Sequence, residues 1–197
     1  MPNPSKTYFY NEIFKDIKLL NLKKNLKRIL DVGCGEALFY NHFKKKEYLG
    51  LDIDDIKIKK VKKTYPKCKI KKVDFNNLKL NQKFDIILCL EVDSLNRVDN
   101  PQKSFNFLRK IISLTSTNGY VVLNFWKIFY LENQYKIESI FKKNNISIEK
   151  KIEYGFFDRN TNYLSWKILF HLYKFLLPFI KLFKKKNVSF ILKKNSR

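Results

Sequence analysis

Cysteine, glycine, proline and acidic side chains are all scarce in this chain, and each shortage excludes something. The three cysteines, Cys34, Cys68 and Cys89, lie far apart, with no CxxC pair and no histidine cluster. That spacing excludes a disulfide framework and a zinc site, and it fits a reducing, cytoplasmic setting. Five glycines and five prolines in 197 residues leave no Gly/Ser-rich linker, so a single domain over 1–197 is expected. No internal repeat breaks the chain. The N-terminal Met-Pro-Asn-Pro-Ser-Lys is polar and lacks the apolar core of a signal peptide. Residues 163–186 are apolar on nearly every face, yet Lys167, Lys174 and Lys181 interrupt them. The uninterrupted run of about 18 apolar residues that a membrane-spanning helix needs is therefore absent.

Positive charge is abundant: 41 Lys+Arg face 18 Asp+Glu, a net charge of +23. Such a surface attracts RNA, DNA or an anionic membrane. Arg, the better residue for bidentate recognition, is scarce, and the lysines run along the whole chain together with many Asn, Ile and Phe. Those are the marks of a compositional bias, and charge alone names no partner. Apolar residues at 45% and aromatics at 16% call for a packed core.

Strands are expected at about 27–32, 47–52, 69–73, 84–90, 120–125 and 146–154, with a last strand at 188–192. Helices are expected at 10–23 (Ile13, Phe14, Ile17, Leu19 and Leu20 inward), 36–45 (Leu38, Phe39 and Phe43 on one face), 54–64, 101–115 and 132–144. Asn118-Gly119 reads as a turn. Strands alternating with helices at this spacing build a mostly parallel α/β sheet with helices on both faces. Pro178 kinks or splits the apolar stretch 163–186, which is an inserted lid, a covering core helix, or a membrane-lying segment with Trp166, Phe170 and Phe175 buried and Lys184–Lys186 at anionic headgroups.

The chemistry lies in Ile29-Leu-Asp-Val-Gly-Cys-Gly-Glu-Ala37 and Leu49-Gly-Leu-Asp52. An apolar strand ends in Asp31, turns through Gly33 and Gly35 and enters a helix, so backbone and helix N–H groups approach a ligand closely. Asp31 suits an ammonium group. Asp52 ends the second strand, where an acid takes both ribose hydroxyls. Asp54 reads as the cap of the following helix. A dinucleotide fingerprint requires glycine at 38, where this chain has Leu38, and no Gly-Lys-Ser/Thr follows for a Walker loop. A zwitterionic, phosphate-free cofactor tolerates both departures.

These residues resemble motif I of class I S-adenosylmethionine-dependent methyltransferases. Leu49–Asp52 resembles motif II, Val73-Asp74-Phe75 the acid after strand three, Phe84–Val92 motif IV, and Asn118-Gly119 with Tyr120–Phe125 the strand-five turn. The resemblance covers about 27–125 and is closest to the small-molecule, quinone-biosynthesis-like group. It implies a Rossmann-like, doubly wound, seven-stranded sheet with an antiparallel last strand and a helical insertion near the C-terminus. It also implies S-adenosyl-L-methionine as cofactor and a small, partly apolar acceptor. An RNA methyltransferase using the basic surface and a non-catalytic cofactor-binding module are the alternatives.

By that resemblance Asp31, Gly33 and Gly35 line the methionine end, Asp52 binds the ribose, Asp74 takes the adenine amino group with Phe75 beside the ring, and Leu90 offers its carbonyl to the ammonium; Cys34 and Ile53 are further cofactor-binding residues. Ala37 replaces the third glycine, and Asp93-Ser-Leu-Asn-Arg-Val98 carries no histidine base. Glu91, Asp93 and His171 are the catalytic or substrate-contact candidates, no metal is implied, and Tyr8 and Tyr10 are lid candidates. His42 reads as a packing or surface residue. Cys89, with no proline before it, reads as a core residue rather than a nucleophile.

Overall fold

The computed structural model describes residues 10–18, 26–97, 99–154 and 187–196. Helix α1 (10–18) precedes β1 (Arg28–Val32), the one-turn α2 (Tyr40–Phe43), β2 (Glu47–Asp52), α3 (Asp55–Thr64), β3 (Ile70–Lys72) and β4 (Phe84–Cys89). A 3-10 turn (Asp93–Leu95) leads to α4 (Pro101–Leu114), β5 (Thr115–Trp126), α5 (Lys127–Lys143), β6 (Ile146–Tyr154) and β7 (Asn187–Lys194). The seven strands form one sheet in the order β3-β2-β1-β4-β5-β7-β6. β1 to β5 pair in parallel, while β7 runs antiparallel to both β5 and β6.

Alternation along the strands divides the core into two layers, because successive side chains point to opposite faces. Leu30, Ile87, Leu123 and Phe125 pack on one face with Leu108, Ile111 and Ile112 of α4 and Phe129 and Ile137 of α5. Ile29, Ile86, Leu88 and Val122 pack on the other with Ile13 and Ile17 of α1, Phe43 of α2, and Ile58 and Val61 of α3. Asp31, two residues past Ile29, therefore faces the α1–α3 side.

Several elements differ from the sequence reading. The helix expected at 36–45 shrinks to Tyr40–Phe43, because Ala37 takes a left-handed backbone (φ 52°) and i→i+3 bonds replace the helical ladder there: Ala37 N donates to Cys34 O (2.8 Å) and Tyr40 N to Ala37 O (3.0 Å). Leu38 consequently turns out to solvent at 51% exposure, while Phe39 and Phe43 are buried as expected. The Asn118-Gly119 turn is absorbed into β5 as a bulge, between the pairs Phe84–Thr115 and Ile86–Tyr120, with Asn118 at φ 61°. α5 begins at Lys127, five residues earlier than expected. Leu19, Leu20, Tyr8, His171 and the apolar stretch 163–186 lie outside the described residues. No helix among the described residues is long and apolar enough to cross a membrane.

Candidate functional site

The chain builds β1, β2 and β3 outward to one side and then returns to place β4 on the other flank of β1. The carboxyl ends of β1 and β4 thus bound a topological switch point, the crevice where open α/β sheets take ligands. Gly33 leaves β1 at φ 70°, and its N–H and that of Cys34 both donate to Leu51 O, at 2.8 and 3.0 Å. A Cβ on Gly33 would stand 2.6 Å from Val92 Cγ2, so the β1 turn and the β4 exit are in direct contact. Gly35 has φ 53°, and its Cβ position meets nothing nearer than Lys57 Cδ at 3.9 Å. Its N–H donates to Asp52 Oδ2 (2.7 Å), and Asp54 N–H donates to Asp52 Oδ1 (2.8 Å). Asp52 is half-buried, and each oxygen keeps a lone pair for a second donor. Ile53 beside it is 70% exposed.

Asp31 lies deeper, at 4% exposure, where the Tyr48 hydroxyl donates to its Oδ2 at 2.6 Å. Burial raises its carboxyl to about 7; the Tyr48 hydrogen bond opposes the rise and the Asp52 charge adds to it. The Cys34 thiol, buried beside Asp31 and Asp52, is pushed well above its ordinary range and stays a thiol. The Tyr10 hydroxyl, at the start of α1, is driven up by burial first, with the charges of Glu91 and then Asp31 adding to the rise. Its ring meets Phe39 edge-on at 5.9 Å.

At the β4 exit Leu90 is buried, and Glu91 adopts a left-handed backbone (φ 58°) that is uncommon for a side chain of its kind. Asn124 of β5, at 0% exposure, holds it there. Glu91 N–H donates to Asn124 Oδ1 (2.6 Å), and Asn124 Nδ2 donates back to Glu91 Oε1 (3.2 Å). Asn96, also buried, braces the same loop: its Oδ1 accepts from Trp126 N (2.6 Å) and its Nδ2 donates to Val92 O (3.2 Å). Asp93 opens the 3-10 turn with its side chain in solvent. Sequence reasoning missed Tyr48, Asn96 and Asn124. Asn124 had a signal, as the one polar residue within Tyr120–Phe125.

Asp74 is exposed beyond β3, where its Oδ1 accepts from Asn76 N (2.9 Å) and Asn76 Nδ2 (3.0 Å). Phe75, the next residue, turns inward. Its ring is 4% exposed and packs edge-on against Phe107 (5.0 Å) in the core, with Lys110 Nζ 4.8 Å above it. An apolar ring with the α4 layer beneath it gains more from burial than from a place at the crevice rim. Lys110 also donates to Phe75 O and to Asn76 O (2.8 Å), which ties the Asp74 loop to α4. Burial lowers the Lys110 ammonium and Asp74 opposes that. His42 stacks on Phe14 (4.3 Å) at the surface, and Cys89 is wholly inside the core. No three metal-ligating side chains converge among the described residues.

Comparison with known proteins bears on the family and the fold. A family model described as "Methyltransferase domain" matches residues 23–167. A curated relative, "Putative methyltransferase 235L" of Invertebrate iridescent virus 6, is 28% identical over 123 residues; the match covers 53% of this chain and spans only 46% of that relative. Among solved structures, an S-adenosylmethionine-dependent methyltransferase from Clostridium acetobutylicum superimposes with a TM-score of 0.65 at 13% identity, over 95% of this chain and 92% of the other. Magnesium protoporphyrin IX methyltransferase from Synechocystis, solved with bound S-adenosylmethionine, gives 0.62 at 12% identity, over 98% and 82%. At such identities the likeness to the two structures is one of fold; the family match covers most of the sequence. The chain belongs to the methyltransferase-domain family.

Proposed function

We propose that this protein transfers a methyl group from S-adenosyl-L-methionine to a small, partly apolar acceptor. The observation that carries the reading is the Gly33–Gly35 turn, bonded to Leu51 O and to the Asp52 carboxylate, with a buried acid at its root. The donor set suits a zwitterionic nucleoside. Asp52 keeps lone pairs for two ribose hydroxyls, and the space over Gly35 is open. Among the described residues, the ionisable groups around Asp31 are carboxyls, phenols and thiols, which favours a ligand that brings its own positive charge.

In this reading Asp31 and the Leu90 carbonyl hold the ammonium, and the backbone of Gly33, Cys34 and Gly35 lines the amino-acid end. Asp52 orients the ribose with Ile53 at its edge, and Asp74 takes the adenine amino group. Phe75, whose ring is committed to the core, contributes backbone only. The cofactor supplies an activated methyl on a sulfonium sulfur. The protein's part is to hold donor and acceptor in line and to keep water out. Glu91 and Asp93, at the mouth, are the polar groups offered to the acceptor; a dedicated base is optional for an acidic nucleophile.

Calorimetry with S-adenosylmethionine and S-adenosylhomocysteine tests the reading. Binding is expected, weakened roughly 10- to 100-fold by Asp52→Ala through loss of charge-assisted hydrogen bonds. No binding at millimolar ligand, or binding indifferent to Asp52→Ala, overturns it. Formation of S-adenosylhomocysteine with small acceptors, with RNA, or with neither separates the leading reading from the RNA enzyme and from the non-catalytic module.

A further inference from the structure

β1 and β2 pair with Ile29 opposite Tyr48 and Asp31 opposite Gly50. Tyr48 and Gly50 share a face, and the missing side chain at Gly50 lets the Tyr48 ring lie along the sheet toward Asp31. A Cβ at position 50 would come within 2.9 Å of Cys34 Sγ and 3.3 Å of Tyr48 Cε1. On its other side the Tyr48 ring meets Tyr40 edge-on at 5.3 Å. The hydroxyl that reaches Asp31 Oδ2 is therefore held in place by two neighbouring segments.

Among the described residues, the ionisable groups that face Asp31 are carboxyls, phenols and thiols. Tyr48 and Asp52 come from β2, Tyr10 from α1, Cys34 from the glycine turn and Cys68 from the approach to β3. No described cation forms an ion pair with it. A carboxylate buried among such groups loses more solvation than one neutral hydrogen bond returns, so the site favours the protonated acid.

Resting on the cofactor reading above, we propose that Tyr48 is a positioning residue for Asp31, and that ligand binding at this pair releases a proton. The hydroxyl aims the carboxyl at the ligand's ammonium. As that cation arrives, the O–H bond of the Asp31 carboxyl breaks and its proton leaves to bulk water. The ammonium keeps its own protons, so one charge pair forms and one proton is released for each binding event in which Asp31 began neutral.

The experiment is calorimetric titration of the folded chain with S-adenosylhomocysteine, across a pH series and in two buffers of different protonation enthalpy. The wild type is expected to show an apparent enthalpy that depends on the buffer near and below neutrality. Its affinity should fall about tenfold per pH unit below the Asp31 break and level off above it. Asp31→Asn should remove both the buffer dependence and the slope. Tyr48→Phe should move the break up by roughly one to two units, so that binding weakens at neutral pH and recovers on the alkaline side. A tyrosine with only a packing role would instead weaken binding equally at every pH. Buffer-independent, slope-free binding in the wild type, a slope that survives Asp31→Asn, or an unmoved break in Tyr48→Phe overturns the proposal. If Tyr48→Phe does not fold, the carbon-13 shift of the wild-type Asp31 carboxyl, titrated free and with S-adenosylhomocysteine, decides instead: an unchanged midpoint overturns the proposal. Absence of binding at any pH overturns the cofactor reading itself, which is a different result.

Discussion

Gly33 answers two demands at one position. Its backbone is left-handed, and Val92 occupies the space a side chain would need. Gly33→Ala is expected to lower stability by roughly 2–4 kcal/mol, from backbone strain plus overpacking. Gly35→Ala, with open space around it, should cost only about 1 kcal/mol. Adding Val92→Ala to Gly33→Ala should recover part of the loss, and thermal melts of the wild type, the two single variants and the double variant check this non-additivity. Asp31 makes a second prediction. Its folded carboxyl titrates near 7, above the unfolded value, so between the two the native state binds more protons and stability falls as pH rises through that window. Relative to the wild type, Asp31→Asn should gain roughly 1.4 kcal/mol per pH unit across it, levelling off above 7; denaturant melts along a pH series measure the difference. Asp31, Gly33, Gly35 and Asp52 were legible in the sequence because each sits in a local pattern whose geometry admits few residue types. Tyr48 and Asn124 were not, because what they touch depends on how β2 registers on β1 and how β5 lies against the β4 exit. The direction of the Phe75 ring was not legible for a related reason: a strand-end aromatic reads the same whether it faces the crevice or α4.

Among the elements, α4 shows how firmly the crevice wall is tied down. Asn100 caps it by accepting from Lys103 N (3.2 Å), with Pro101 at its first turn, and Lys110 reaches from its far half to the Asp74 loop. Asn100→Ala should cost about 1 kcal/mol and lower the melting temperature by roughly 2–4 °C. S-adenosylhomocysteine affinity should stay unchanged. Lys110→Met should do the reverse: amide exchange at Asn76 and Asn77 quickens, and S-adenosylhomocysteine binds up to about tenfold more weakly. Asp54 accepts from Ile56 N and Lys57 N, so the cap expected there is in place. Elements with a clear start signal and a regular apolar stripe were readable. α2 was not, since Ala37 in a left-handed turn looks like a helix former until its neighbours' hydrogen bonds are known.

For the whole molecule, the excess of lysine has a structural use that requires no partner. The edge strand β3 exposes Lys71 and Lys72, and the opposite edge β6 exposes Lys150 and Lys151, charges that discourage edge-to-edge pairing. Binding to single-stranded RNA is accordingly expected to ignore sequence and to collapse with salt. Reversing Lys62, Lys63 and Lys71 to Glu should flatten the log–log salt slope by roughly 0.7 for each phosphate no longer neutralised. S-adenosylhomocysteine affinity should stay the same, and filter binding across a salt series reads both. The sheet order has another consequence, in the timing of synthesis. β7 lies between β5 and β6, pairing with β5 from Tyr120 to Trp126 and with β6 from Ile146 to Tyr154. A nascent chain that has already made β1 to β6 thus carries a bare edge on β5 and a β6 with no neighbour, until residues 187–194 emerge from the ribosome. During that interval the bare edge is a template for another chain's strand, so synthesis stopped just before Asn187 would yield a fragment that aggregates rather than a folded domain short of one strand.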